Sequence, residues 1–123
     1  MSAQFMWFDV TAPDAAATAE FYAKLFGWAT GPAHGADPYR AWLIDDDQPW
    51  AGVVTADGAA GGEQTGRWLP YVVVDVLDAA TEQATTLGGR VVRDRLAGPA
   101  GTSVVIADPG GAQVALFVPN LTS

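Results

Sequence analysis

The chain contains an internal repeat, and this repeat constrains the fold more than any other feature of the sequence. Trp7 and Tyr71 lie 64 residues apart, whereas Gly27 and Gly89 lie 62 residues apart. A difference of two residues in the length of one helix accounts for both offsets. The two halves are therefore predicted to contain the same secondary-structure elements in the same order.

Each half begins with a strand that leads into a helix. Large apolar residues alternate from Phe5 to Val10, and Thr11 and Asp14 then offer a capping box for a first helix. In the second half, Tyr71 to Val76 has the same character, and Asp78 is expected to open the second helix.

A glycine after each helix predicts a left-handed cap, and three strands are expected to follow it. These predicted strands are Trp28 to Thr30, Tyr39 to Ile44 and Trp50 to Thr55, then Arg90 to Arg93, Thr102 to Ala107 and Ala112 to Val118. The repeated unit is therefore βαβββ. A Gly-rich linker over 57–67 separates module one, about 3–56, from module two, 68–120, in a single domain over 1–123.

The first predicted helix has an apolar stripe at a spacing of four residues. Ala17, Phe21 and Leu25 form this stripe, with Tyr22 and Phe26 beside them. Such a stripe is typical of a helix that covers a sheet, so these aromatic rings are expected in the core.

Composition excludes several classes of function. Six basic residues against 14 acidic ones give a net charge of −8, which repels nucleic acid and anionic membrane surfaces. The absence of cysteine excludes disulfides, thiolate nucleophiles and Cys-type metal sites. No basic leader precedes a long apolar run, so the expected location is the cytoplasm.

The two halves together resemble the vicinal oxygen chelate superfamily, which includes glyoxalases, bleomycin-resistance proteins and extradiol dioxygenases. The resemblance is carried by WFDVTAPDAAATAEFYAKLFGW, by YVVVDVLDAATEQATTLGGRVV and by ADPGGAQVALF. It implies an α+β fold in which two βαβββ modules form an eight-stranded incomplete barrel around a central cavity, with the helices outside. It also implies homodimers, in which modules can be exchanged through the linker or not.

Metal-dependent members of this superfamily carry their ligands on the first and last strands of each module. The corresponding positions here are Trp7, Tyr71 and Ala115, with Gly52 or Val53 as the fourth. None of these side chains supplies the nitrogen or oxygen ligand that a divalent ion needs, so we expect no metal or other cofactor.

Two remaining features could be taken for metal ligands. His34 has no second histidine at a ligand spacing and is read as a loop residue. The aspartates at 45–47 occupy the place of the DPGG turn in the second half, which favours a turn over a calcium or magnesium site. If this protein bound a metal ion at a site other than the usual one of the superfamily, His34 and acidic side chains would have to supply the ligands.

The position of Trp7 in the resemblance implies that its side chain points inward, and strand alternation then predicts the rest of the cavity. Met6, Phe8 and Val10 would face the helix. The predicted ligand-binding residues are Phe5, Trp7, Asp9, Trp42, Trp50, Tyr71, Val73, Gln113, Ala115 and Phe117. A cavity so rich in aromatic rings suits a flat or ring-containing small molecule.

Asp9 and Tyr71 each admit more than one role. Asp9 is a hydrogen-bond anchor for the ligand, or a general base, or a solvent-facing residue if the strand register is shifted by one. Tyr71 is a binding group or an acid.

Two functions follow from this cavity. The first is a metal-free protein that holds an aromatic or cationic ligand unchanged, as drug-sequestering resistance proteins do. The alternative is a cofactor-independent isomerase, cyclase or lyase that uses Asp9 as base and Tyr71 as acid. Neither function involves nucleic acid or a membrane.

Overall fold

The computed structural model describes residues 5–32, 39–45, 47–55, 66–98 and 100–120. The elements of the first half are β1 (Phe5–Ala12), α1 (Ala15–Phe26), β2 (Ala29–Pro32), β3 (Tyr39–Asp45) and β4 (Gln48–Thr55). Those of the second half are β5 (Arg67–Val73), α2 (Leu77–Thr86), β6 (Arg90–Ala97), β7 (Gly101–Ala107) and β8 (Gln113–Pro119). The α+β class and the two βαβββ modules are confirmed.

The first module has the strand order β2-β3-β4-β1. β1 and β4 run parallel, with Asp9 opposite Gly52, and β3 runs antiparallel to both β2 and β4. The described residues from Trp7 to Trp68 form one compact unit.

The second module repeats this pattern as β5-β8-β7-β6. β5 and β8 run parallel, with Tyr71 opposite Ala115, and β7 runs antiparallel to both β6 and β8. The described residues from Leu69 onward form the second compact unit, which also includes Phe5 and Met6.

Helix α1 has a side-chain cap at its start and a glycine cap at its end. The Asp14 Oδ1 atom accepts a hydrogen bond from the Ala17 amide at 3.1 Å, which satisfies one of the free amides of the first turn. Thr11 lies within β1, so the expected capping box with Thr11 is wrong. Gly27 adopts the left-handed conformation with φ of 76° that ends the helix.

The buried face of α1 differs from the predicted stripe. Ala15 and Ala19 are the buried residues of the helix, whereas Phe21, Leu25 and Phe26 are each more than half exposed. The helix is rich in alanine on several sides, and small alanines allow the closest approach to the sheet. The aromatic spacing therefore did not identify the packing face.

Helix α2 begins without a side-chain cap. Its N-cap is Val76, and Asp78 lies in the first turn, where its carboxylate pairs with the guanidinium of Arg95. Gly88 follows the helix with a positive φ of 100°. Among the described residues, no helix is long and apolar enough to cross a membrane.

The core of module two lies between α2 and one face of the sheet. Leu77 from the helix packs with Val104 from β7 and Leu116 from β8. In module one, the corresponding cluster joins α1 to its sheet and is formed by Val10, Ala15, Ala19, Leu43, Ala51 and Val53. Each helix therefore covers one face of the sheet of its own module.

An aspartate lies in each of two turns of the described structure. The Asp108 Oδ1 atom accepts hydrogen bonds from the amides of Gly110 at 2.8 Å and Ala112 at 3.0 Å, which fixes the predicted DPGG turn. Asp47 has a positive φ of 67° in the turn between β3 and β4. Asp46, His34 and most of the predicted linker lie outside the described residues.

We predict that Asp14→Ala lowers the free energy of unfolding by about 1 kcal/mol, because it removes the side-chain cap of α1. Asp78→Ala is the matched control, since it removes an aspartate from the first turn of the other helix, where the carboxylate forms an exposed ion pair with Arg95 and caps no amide among the described residues. Urea denaturation of both variants measures the difference. An unchanged free energy of unfolding in Asp14→Ala would show that the Asp14 cap does not stabilise α1.

Candidate ligand-binding faces

The sheet of module one has a helix on one face, and its other face holds the polar and aromatic side chains. Phe8 and Val10 lie in the cluster with α1, so alternation places Trp7 and Asp9 on the opposite face of β1. Asp9 and Trp42 are both opposite Gly52 in the register, which sets them in one row across β1, β4 and β3. We call Trp7, Asp9 and Trp42 the module-one face.

The module-one face is organised by a hydrogen bond. The indole Nε1 atom of Trp7 donates to Oδ1 of Asp9 at 2.7 Å. Asp9 is 5% exposed, so its carboxylate is buried and this bond orients it. The bond also fixes the plane of the Trp7 ring.

Trp42 completes this arrangement from β3. The ring centroids of Trp7 and Trp42 are 5.8 Å apart with an interplanar angle of 76°, an edge-to-face contact. Both rings are only half-buried. Gly52 has no side chain to occupy the row between Asp9 and Trp42. The face therefore combines two accessible rings with an oriented carboxylate.

Trp50, predicted to line the same cavity, lies on the helix side of the sheet. Ile44 pairs with Pro49 and Leu43 with Ala51, so Trp50 is the extra residue of a β-bulge. A bulge redirects the side chain of the extra residue. The structure does not bring Trp50 together with Trp7, Asp9 and Trp42.

Trp50 instead belongs to an aromatic cluster beside α1. Its ring stacks on Trp68 with centroids 6.1 Å apart and an interplanar angle of 9°. This cluster also contains Phe8, Tyr22, Phe26 and Trp28. Trp68 Nε1 donates to the Tyr22 hydroxyl at 3.1 Å, whereas Trp50 Nε1 is buried with no hydrogen-bond partner among the described residues.

The sheet of module two is organised in the same way. Val104 and Leu116 pack against α2, so the residues that alternate with them occupy the opposite face. The register gives two rows on that face, first Tyr71, Ala115, Val105 and Arg93, and then Val73, Phe117, Ser103 and Leu96. We call this surface the module-two face.

Tyr71 and Phe117 form the aromatic part of the module-two face. Their ring centroids are 5.8 Å apart with an interplanar angle of 75°. Tyr71 is 9% exposed and Ala115 is fully buried, whereas Phe117 is half-buried. These three predicted residues therefore lie side by side.

The remaining predicted residues lie at the margins. Gln113 is half-buried at the start of β8, opposite Ala107. Val73 ends β5, and Phe5 begins β1 with more than half of its surface exposed. Their part in a site stays a prediction.

Arg93, which no sequence pattern predicted as a site residue, lies on the module-two face and is 8% exposed. Its Nη1 atom donates to the carbonyl oxygens of Asp94 at 2.9 Å and Ser103 at 3.0 Å, and its Nη2 atom donates to Ser103 Oγ at 2.9 Å. The only signal in the sequence is an arginine within a strand. Two register shifts in β6, one on each side of Arg93, prevent its direction from being read by alternation.

Comparison with known proteins identifies the family. A model of the glyoxalase-like domain matches residues 6–117, which is almost the whole chain. This protein belongs to the glyoxalase-like domain family. The two βαβββ modules agree with this assignment, and the resemblance to the vicinal oxygen chelate superfamily is confirmed.

Two curated relatives of this glyoxalase-like domain come from Streptomyces. The anthracycline biosynthesis protein DnrV of Streptomyces peucetius is 33% identical over 130 residues, and DauV of Streptomyces sp. (strain C5), which has the same description, is 32% identical over 130 residues. Each alignment covers 90% of this chain but 45% of the relative. The chain thus spans a little less than half the length of the curated relatives that it matches.

A solved structure shares the fold of this glyoxalase-like domain. Methylmalonyl-CoA epimerase from Mycobacterium tuberculosis superposes with a TM-score of 0.62 at 18% sequence identity, over 95% of this chain and 88% of the epimerase. At this identity the similarity supports the fold.

The metal ligands of metal-dependent superfamily members do not fit this glyoxalase-like domain. On β5 and β8, the paired positions hold Tyr71 and Ala115, and β1 has Trp7 at the corresponding ligand position. Alanine and indole cannot bind a divalent cation. Within the described ranges, no group of three or more histidine, aspartate or glutamate residues could hold a metal ion.

We predict that Trp7→Phe lowers the free energy of unfolding by about 1 kcal/mol or more beyond the effect of Trp50→Phe. The first variant removes a hydrogen bond to a buried carboxylate, whereas the second removes a buried donor with no described partner. Both variants make the same change in side-chain volume, so each controls for the other. Equal losses in urea denaturation would contradict the role given to the bond between Trp7 and Asp9.

Proposed function

We propose that this protein binds a planar aromatic or cationic small molecule without a metal ion and holds it unchanged. The observation that carries this proposal is the module-one face, where a buried aspartate is oriented by one tryptophan beside a second. We propose the ligand-binding residues named from the sequence as the contact set, with the exception of Trp50, which packs beside α1.

The module-one face supplies both affinity and orientation. Aromatic side chains gain dispersion and stacking energy from a flat ligand, and an oriented carboxylate accepts a hydrogen bond from a donor or attracts a cation on it. Because Asp9 Oδ1 already accepts the Trp7 indole, the carboxylate is held in place before any ligand binds. This favours the anchor role of Asp9 over the role of a base.

The module-two face supports the same ligand class. Tyr71 and Phe117 present an aromatic pair, and the fully buried Ala115 beside Tyr71 has a side chain of one methyl group. The net charge of −8 favours the approach of a cationic compound over an anionic one.

The curated relatives support a fused-ring aromatic compound as the ligand. DnrV and DauV are described as anthracycline biosynthesis proteins, and anthracyclines contain fused aromatic rings. Since the chain covers 45% of those proteins, their role is transferred here only as part of the proposal.

An enzymatic function on the same residues is the second candidate. It is favoured by the burial of Asp9 among aromatic rings, because burial of a carboxylate is common at proton-transfer sites. In this candidate Asp9 removes a proton and Tyr71 supplies one, without a cofactor, in an isomerase, cyclase or lyase reaction.

We also propose that the protein is a cytoplasmic homodimer. The exposed side chains of Phe21, Leu25 and Phe26 on α1 support association, because apolar patches of this kind are typical of interfaces. The complete absence of cysteine fits a reducing compartment.

Native mass spectrometry of the full chain, incubated with a fused-ring aromatic compound such as anthraquinone-2-carboxamide, tests these proposals together. The expected species is a dimer that carries the compound at its original mass and no metal. A released compound of altered mass would support the enzyme instead, and Asp9→Asn should then abolish that change. A protein that binds no compound from an aromatic series would contradict both functions, and a monomer at micromolar concentration would contradict the dimer.

A further inference from the structure

We propose that the Thr11 hydroxyl donates a hydrogen bond to a carbonyl oxygen of the ligand, so that the preferred ligand is an aromatic ketone or quinone. This inference rests on the proposed function and adds a polar contact beside Asp9. It is carried by the direction of Thr11 in β1, by its burial and by the lack of a described partner for its hydroxyl.

The register of β1 places Thr11 on the same side of the sheet as Asp9. Val10 and Val53 are opposite each other in the ladder, and both belong to the cluster with α1. The next pair along, Thr11 and Val54, therefore points to the other face. Because Thr11 follows Asp9 by two residues, the two side chains point the same way, with their Cα atoms about 7 Å apart.

Thr11 does not have the local role that its sequence context predicts. In the structure the side chain of Asp14 caps α1, where its Oδ1 atom accepts a hydrogen bond from the Ala17 amide at 3.1 Å. Thr11 continues β1 instead, and its backbone carbonyl accepts a hydrogen bond from the Gly66 amide at 2.7 Å. Its hydroxyl is therefore not used in the cap of the helix.

The Thr11 hydroxyl is buried without a partner. Thr11 is 5% exposed, and its hydroxyl has no hydrogen-bond partner among the described residues. By contrast, the hydroxyls of Thr81 and Thr85 on α2 each donate to a backbone carbonyl at 2.8 Å. A buried hydroxyl without a hydrogen bond costs free energy, and such groups are rare in folded proteins. A ligand on this face could supply the missing partner.

The neighbouring carboxylate determines which partner suits the hydroxyl. The Asp9 carboxylate only accepts hydrogen bonds, and bonds to it are stronger than bonds to a neutral oxygen. A donor group on the ligand is therefore expected to pair with Asp9. The Thr11 hydroxyl then acts as a donor itself, and a carbonyl oxygen on the ring system is the matching acceptor.

The test compares two planar probes, anthraquinone-2-carboxamide and anthracene-2-carboxamide. Both have three fused rings and the same amide, and they differ in the two ring carbonyls. Isothermal titration of the full chain gives the Kd of each, and the Kd for the anthracene divided by that for the quinone measures the carbonyl preference. Thr11→Val, which replaces the hydroxyl by a methyl group, should lower this ratio at least about fivefold. Thr11→Ser, which keeps a hydroxyl, should retain it.

Thr30→Val is the matched control. Thr30 lies on β2 opposite Leu43, which packs against α1, so this variant removes a hydroxyl from the helix side of the same sheet. It should leave the ratio unchanged. A fall in Thr30→Val equal to that in Thr11→Val would overturn the assignment to Thr11.

A second measurement separates a ligand contact from a structural role. Because Thr11→Val removes an unpaired buried hydroxyl, the midpoint of its urea denaturation should stay the same or rise. A lower midpoint, or a variant that does not fold, would show that the hydroxyl stabilises the protein and would overturn the inference.

The binding results distinguish this inference from the proposed function. If both probes bind and Thr11→Val leaves the ratio unchanged, the inference is overturned while the proposed aromatic site stands. If neither probe nor any other aromatic compound binds, the proposed function itself fails.

Discussion

One helix can cover only one face of a four-stranded sheet, and the described part of each half contains one helix. Val10 and Leu43 in module one, and Val104 and Leu116 in module two, fill the covered faces with apolar side chains. Because successive side chains of a strand point to opposite faces, the residues between these apolar positions lie on the uncovered face. In this protein those residues carry aromatic rings, a carboxylate and a guanidinium.

Register shifts in β3, β4 and β6 modify this alternation, and they help to determine which groups the uncovered faces contain. The bulge at Trp50 moves one indole to the helix side, where it stacks on Trp68. The two register shifts on either side of Arg93 accompany a buried guanidinium on the face of the module-two sheet opposite α2. The result is a carboxylate between rings in module one and a guanidinium near rings in module two.

Much of the fold could be predicted from the sequence, because the repeat of the two halves and the alternation of apolar residues in most strands are visible in the chain itself. Trp7, Asp9, Tyr71 and Phe117 lie opposite the helices of their modules, as alternation from the predicted strands requires. The directions of the Trp50 and Arg93 side chains could not be predicted, because a single extra residue in a strand reverses the direction of a side chain. The packing face of α1 could not be predicted either, because alanines lie on several sides of the helix and no apolar stripe singles out the buried side.

We propose that ligands contact the face of module one that carries Trp7 and Trp42, and not the aromatic cluster beside α1. The five tryptophans each give one indole N–H signal in a ¹H–¹⁵N correlation spectrum, and single Trp→Phe variants assign them. Titration with a fused-ring aromatic compound should shift the signals of Trp7 and Trp42 and leave those of Trp28, Trp50 and Trp68 in place. Shifts confined to the latter three would contradict the account and place the ligand at the aromatic cluster beside α1.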